Sequence, residues 1–279
     1  MVSFLSPQAL LLAAVSFYAI VDAASISRNP ALVLKRGVPT KLPECATALD
    51  KKWQPALDFD KDGCYNTPAV DAQGNTNPGL KCGGAKNGHC RDKSDLLNNN
   101  VYSRSRCNNH WCIIMYAYYF EKDQSIDGSC GVGHRHDWEH ISVWLKDDEV
   151  QYVAVSQHTG WDIRKASDVR WFQTTHPKVV YNQDGALTHD FRFGKAADDK
   201  GVENHLKEWF LGDLISYNGF PEGSVDVRKK MMDNDWGKAS INIKDSTWAG
   251  RIEKAKCGKK DILLDVDKDE VSPGNKRAC

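Results

Sequence analysis

The chemistry of this chain is concentrated in eight consecutive residues, Gly133-His134-Arg135-His136-Asp137-Trp138-Glu139-His140. Imidazoles, carboxylates and a guanidinium at that density are not buried without partners. Such a set can hold a metal, catalyse a reaction or present a recognition surface, and the backbone conformation decides among these. His136-Asp137-Trp138-Glu139-His140 fits H-x-x-E-H, a zinc-metallopeptidase pattern. That chemistry requires a helix, where side chains four apart stand roughly 5–6 Å from each other and can grip one ion. On a strand, at about 3.3 Å per residue, the same two histidines stand about 13 Å apart and cannot.

The flanking residues favour the strand. Ile141, Val143 and Leu145 share one parity, and Trp138, Ser142 and Trp144 share the other, the pattern of a half-buried strand. Asp137 and Glu139 then project to the same side. His134, in the incoming turn, and Asp123, at the start of the preceding loop, complete an oxygen-rich set with one imidazole. Such a set suits Mg²⁺ or Ca²⁺ better than structural zinc. The competing reading is a surface ion-pair cluster in which Arg135 neutralises the carboxylates.

The elements that must position these residues are mostly extended. Residues 111–120, Trp-Cys-Ile-Ile-Met-Tyr-Ala-Tyr-Tyr-Phe, are aromatic and β-branched and read as a strand. A polar connection over 121–132 leads into the motif. Lys146-Asp147-Asp148-Glu149 reads as a hairpin turn before a strand over 150–155. Residues 169–172 and 178–181 read as further short strands. Val202, Leu206, Trp209, Phe210 and Leu214 have helical spacing, and 222–232, opened by Pro221, reads as a second helix. With no internal repeat or linker, the chain is expected to form one mainly β domain, a two-sheet β-sandwich with peripheral helices.

Lys+Arg and Asp+Glu both total 37 among 279 residues, which argues against nucleic-acid binding by phosphate neutralisation. An apolar stretch over 10–21, followed by Val21-Asp22-Ala23, reads as a signal peptide over 1–23. Lys35-Arg36 makes 24–36 a candidate pro-peptide, leaving 37–279 as the mature domain with a charged C-terminal tail. Nine cysteines in a secreted chain imply disulfides, with at least one thiol left free or paired with another molecule. Asp58-Phe59-Asp60-Lys61-Asp62-Gly63 matches the first half of an EF-hand loop, but Ala69 stands where its twelfth-position Glu belongs. It is either a second calcium site through Asp58, Asp60 and Asp62 or an acidic turn. Asp265-Val266-Asp267-Lys268-Asp269 is a weaker echo that reads as solvated tail.

Gly133 to Glu139 resembles the heptapeptide hallmark of the necrosis- and ethylene-inducing peptide 1-like proteins, the NPP1 family, in its cysteine-rich type. The stretch Ile114-Met115-Tyr116-Ala117-Tyr118-Tyr119-Phe120-Glu121-Lys122-Asp123 is similar to the family's other known segment, which plant immune receptors perceive. The resemblance covers roughly residues 64–237. It implies an actinoporin-like sandwich and a secreted, non-enzymatic cytolysin acting as a virulence factor at plant plasma membranes. The implied ligand is the sugar head group of glycosylated inositol phosphoryl ceramide, bound through a divalent cation. It further implies a cation site of Asp123, His134, Asp137 and Glu139, with Arg135 and His136 supporting the motif and His189 facing the cavity. It implies disulfides Cys64–Cys90 and Cys107–Cys112, and leaves Cys45, Cys82, Cys130, Cys257 and Cys279 unassigned. Two departures bear on lytic strength. Gly185 replaces a tryptophan found in some relatives, and three extra residues separate Asp123 from His134. A non-lytic virulence or elicitor role is the alternative.

Overall fold

A computed structural model describes residues 1, 37–158, 160–269 and 277–279. The signal-peptide and pro-peptide expectations fall, apart from Met1, outside the described residues. Among the described residues, ten strands build two sheets. The larger contains β2 (Asn100–Asn108), β3 (Trp111–Asp123), β4 (His134–Lys146), β5 (Glu149–Gln157), β6 (Gly160–Lys165) and β10 (Asp213–Ser216), in the order β10-β2-β3-β4-β5-β6. The smaller contains β1 (Ala56–Phe59), β7 (Trp171–Phe172), β8 (His176–Gln183) and β9 (His189–Phe193), centred on β8. Short helices α1 (Ala48–Trp53) and α2 (Lys93–Leu97) precede β2, and α3 (Val227–Asp233) and α4 (Trp248–Ala255) follow β10. None of the described helices is long and apolar enough to cross a membrane.

The large sheet is covered on both faces, which explains why β3 is apolar at both parities. On one face Tyr116, Tyr118, Phe120, Ile141 and Val143 pack with Tyr181 and Phe191 of the small sheet. On the other, Met115, Tyr119, Trp138 and Trp144 pack with Met231, Trp236, Trp248 and Ile252 from α3, α4 and the loop between them. The strand parity read from the sequence around β4 matches this division. Asp147 and Asp148 form the two-residue hairpin turn, both at positive φ, as such a turn demands.

Three readings are corrected. Residues 202–214 are not helical: Asn204 Oδ1 accepts from the backbone N–H groups of Leu206 and Lys207, and Lys207 has φ +59°. Those local bonds outcompete a helix whose interior N–H groups they consume, and the segment ends in β10. The second helix starts late, at Val227, because Asp226 caps it by accepting from Lys229 N. The C-terminal acidic echo is not a free tail. Asn108 bonds both the N–H and the C=O of Asp265, and Cys107 N–H donates to Asp269.

Four disulfides are formed: Cys45–Cys279, Cys64–Cys90, Cys82–Cys130 and Cys107–Cys112. Cys257 is free and exposed.

A candidate cation-binding cavity at one end of the sandwich

The dense motif forms the first half of β4, and Asp123 and His134 are direct cross-strand partners on β3 and β4. Both therefore lie on strands, not in the turn and loop expected for them. The two strands close there because Gly133 sits beneath the Asp123 carbonyl: a Cβ on Gly133 would lie 2.1 Å from that oxygen.

A regular strand would place His134 and Asp137, three residues apart, on opposite faces. His136 prevents this. Its φ of +60° is left-handed, a conformation that costs a non-glycine residue about 1–2 kcal/mol. The single reversal brings His134 to the side of Asp137. The Tyr119 hydroxyl bonds His136 Nδ1 at 2.6 Å, and the ring packs against Trp236. Ligand atoms of Asp123, His134 and Asp137 consequently lie within 4.8 Å of one another. His134 Nδ1 donates to the His136 carbonyl at 2.7 Å. That bond fixes the tautomer and leaves Nε2 with a lone pair, the arrangement of a metal-ligating imidazole.

Asp123 accepts from both Nδ1 (2.8 Å) and the backbone N–H (3.0 Å) of His189, the first residue of β9. Tyr181 donates to Asp137 at 3.1 Å. Glu139 lines the same cavity, but its carboxylate is turned toward the hydroxyl of Ser156 and stands outside the three-residue set. Burial, and next the charge of Asp123, push the Asp137 carboxyl well above the ordinary range; burial and then Asp137 do the same for Glu139. Burial alone would depress His189, yet its bond to Asp123 and the nearby Asp62 carboxylate more than offset this and raise it to about 9. At 3.7 Å, Asp62 acts on that ring as a charge and not as a hydrogen-bond partner.

Arg135 does not neutralise the carboxylates. It is exposed, and its guanidinium reaches the Pro78 carbonyl. Nor are Asp58, Asp60 and Asp62 brought together. Asp58 accepts from the backbone of Glu203 and Asn204, Asp60 faces Arg192 at 3.4 Å, and Asp62 pairs with Lys86 at 2.7 Å. These separate partners consume the oxygens that a calcium loop would converge. The H-x-x-E-H reading fails on the same strand geometry. His140 is buried among the helix-side residues, where its Nε2 accepts from Asn242 N–H at 2.9 Å, while Glu139 points to the other face.

Sequence reasoning missed His158, Ser156, Thr188 and Asp190, which border or buttress this end of the sandwich. His158, Asp184 and Asp190 form a second group with ligand atoms within 4.8 Å. They come from three separate turns and strand ends, so no local spacing announces them. The cavity that joins these elements measures about 760 Å³.

A hard cation fits the first group: two buried carboxylates and one imidazole lone pair converge, and a cation there would offset the cost of burying the carboxylates.

The family model for necrosis inducing protein (NPP1) matches residues 47–255. An NLP effector protein 10 from Phytophthora capsici is 30% identical over 242 residues, 85% of this chain and 94% of that protein. A solved structure described as a toxin fold for microbial attack and plant defense superposes with a TM-score of 0.65 at 28% identity, covering 80% of this chain and 99% of that one. A structure of NLPPya in complex with mannosamine gives 0.64 at 28% identity, covering 80% and 98%. With a family model spanning most of the described domain, a toxin-fold architecture and the heptapeptide in its expected place on β4, this chain belongs to the NPP1 family of necrosis-inducing proteins.

Proposed function

We propose that this chain is a secreted, non-enzymatic effector that recognises sugar head groups of plant plasma-membrane sphingolipids, glycosylated inositol phosphoryl ceramides, through a bound Mg²⁺ or Ca²⁺, and then perturbs the membrane. The observation that carries this reading is the convergence of Asp123, His134 and Asp137 within 4.8 Å at the floor of an open polar cavity. A cation held there supplies vacant coordination positions for sugar hydroxyls. Asp123 and Asp137 provide charge, His134 provides Nε2, and Glu139 can join by rotating away from Ser156. His189 and Tyr181 hold the two aspartates in place by hydrogen bonds. Arg135 lies outside the basin, and His136 supports it through backbone conformation. The amino-sugar complex of NLPPya supports a saccharide as ligand. Four disulfides support an oxidising, extracellular location.

Recognition by plant immune receptors of the 114–139 region is part of the same reading. Residues 114–123 are buried in the middle of the large sheet, so perception of that stretch requires its proteolytic release.

The test is dye leakage from vesicles with and without glycosylated inositol phosphoryl ceramide. Leakage that needs both the sphingolipid and a divalent cation is expected. Leakage that persists without the lipid, or in chelator, overturns the mechanism. Cation-dependent binding without leakage identifies the non-lytic form of the effector.

A further inference from the structure

The cavity has a second end with the opposite charge. Strand β5 pairs with β4 only from Ile141 onward, with Ser156 Oγ of β5 bridging to the His140 N–H and the Glu139 carboxylate, and the cavity is lined from both faces of the large sheet beyond that point. Its far wall is made by Lys238, Ser240 and Asn242, from the loop between α3 and α4, by Arg251 and Lys254 of α4, and by Cys257. Arg251 and Lys254 are three apart and share a helix face. Lys238, Arg251 and Lys254 form no ion pair with any described acidic residue; the only hydrogen bond of the Arg251 guanidinium among the described residues goes to Ser240 at 3.2 Å. The buried Asn242 side chain has an oxygen without a partner there. One cavity thus has acidic side chains at one end, Asp123, Asp137 and Glu139, and three cations without an ion-pair partner among the described residues at the other.

We propose that the basic end binds a phosphate substituent of the saccharide ligand. The ligand is then a sugar phosphate ester whose hydroxyls face the acidic floor and whose phosphate oxygens face Lys238, Arg251 and Lys254. This rests on the proposed function and specifies the substrate class of the same cavity. Guanidinium and ammonium groups recognise phosphate by charge-assisted hydrogen bonds, roughly twice as strong as neutral ones. A neutral sugar would leave those three cations without a partner.

The experiment is calorimetry on the folded, full-length protein in excess Ca²⁺, using glucosamine, glucosamine 6-phosphate and inorganic phosphate as probes. Wild type should bind glucosamine 6-phosphate at least about 10-fold more tightly than glucosamine, equivalent to roughly 1.4 kcal/mol. The triple variant Lys238→Gln, Arg251→Gln, Lys254→Gln, altered only at partly or fully exposed side chains, should bind the two sugars alike. Glucosamine 6-phosphate should also slow maleimide labelling of Cys257, in the basic wall, more than glucosamine does. Equal affinity of wild type for both sugars, a preference that survives in the triple variant, or inorganic phosphate binding as tightly as the sugar phosphate overturns the inference. Failure of both sugars to bind wild type overturns the proposed function itself, and this inference with it.

Discussion

Neutralising Asp137 should have opposite consequences with and without a cation. Asp123 and Asp137 are 2% and 5% exposed, with carboxylate oxygens within 4.8 Å. At an effective dielectric constant of about 20, two unit charges at that distance repel by roughly 3 kcal/mol. Burial and the neighbouring Asp123 disfavour the charged form of Asp137, so about 3 kcal/mol is an upper bound on the relief that Asp137→Asn can give. In chelator the variant should be at least as stable as wild type. With cation at 100 times its dissociation constant, wild type should gain about 2.7 kcal/mol. At about 2–4 °C per kcal/mol for a domain of this size, that is a rise in Tm of roughly 5–10 °C, which the variant should lack. The sign with pH follows. A carboxyl raised in the folded state stabilises it below the unfolded value near 3.8 and loses that contribution as pH rises through the folded pKa. A cation competes with protonation of that carboxyl, so the wild-type shift should shrink as pH falls. Differential scanning fluorimetry with EDTA, Mg²⁺ or Ca²⁺ measures all of this. A variant several degrees less stable in EDTA, or one that keeps the cation-induced shift, would refute the electrostatic reasoning.

Other perturbations address neighbouring parts of the site. His136→Gly should keep cation affinity within a few-fold, whereas His136→Val, β-branched and unable to hold φ +60° without strain, should weaken it about 10-fold or more by returning His134 to the wrong face, equivalent to roughly 1.4 kcal/mol; cation titration of both variants separates these outcomes. Gly133→Ala drives a methyl into the Asp123 carbonyl and should cost about 1–3 kcal/mol by overpacking, measured by urea unfolding. His140, whose pKa burial lowers to about 3, accepts from Asn242 only when neutral. Its contribution is full above about pH 6.5, the unfolded value, and is lost as pH falls toward 3. Unfolding free energy should drop by about 1.4 kcal/mol per pH unit from this group alone, and His140→Gln should lack that component.

The strand carrying the motif was legible because Ile141, Val143 and Leu145 share one parity and Trp138, Ser142 and Trp144 the other, but it is not the half-buried strand expected: both sets are buried because both faces of the sheet are covered. Asp137 and Glu139 followed from it directly. His134 did not, since parity alone places it on the wrong face, and only the left-handed His136 corrects this. No residue type at 136 announces that conformation; the compensating Tyr119 and Trp236 contacts are tertiary. The basic wall was invisible for a related reason. Lys238, Arg251 and Lys254 lie about a hundred residues downstream and reach β4 only because α4 packs across the large sheet. The segment 202–214 misled because apolar spacing says nothing of Asn204, whose side chain binds its own neighbours' backbone. The cysteines beyond the family pattern pair across long separations, as Cys45–Cys279 does, which no local spacing encodes.

The most direct test of the central claim is an anomalous-scattering map from crystals grown with Mn²⁺ as a surrogate for the native cation. The account predicts one strong peak bonded to Asp123, His134 and Asp137, with Glu139 turned from Ser156 toward it. A map with no peak at that position, or with its peak at His158, Asp184 and Asp190 alone, would contradict it.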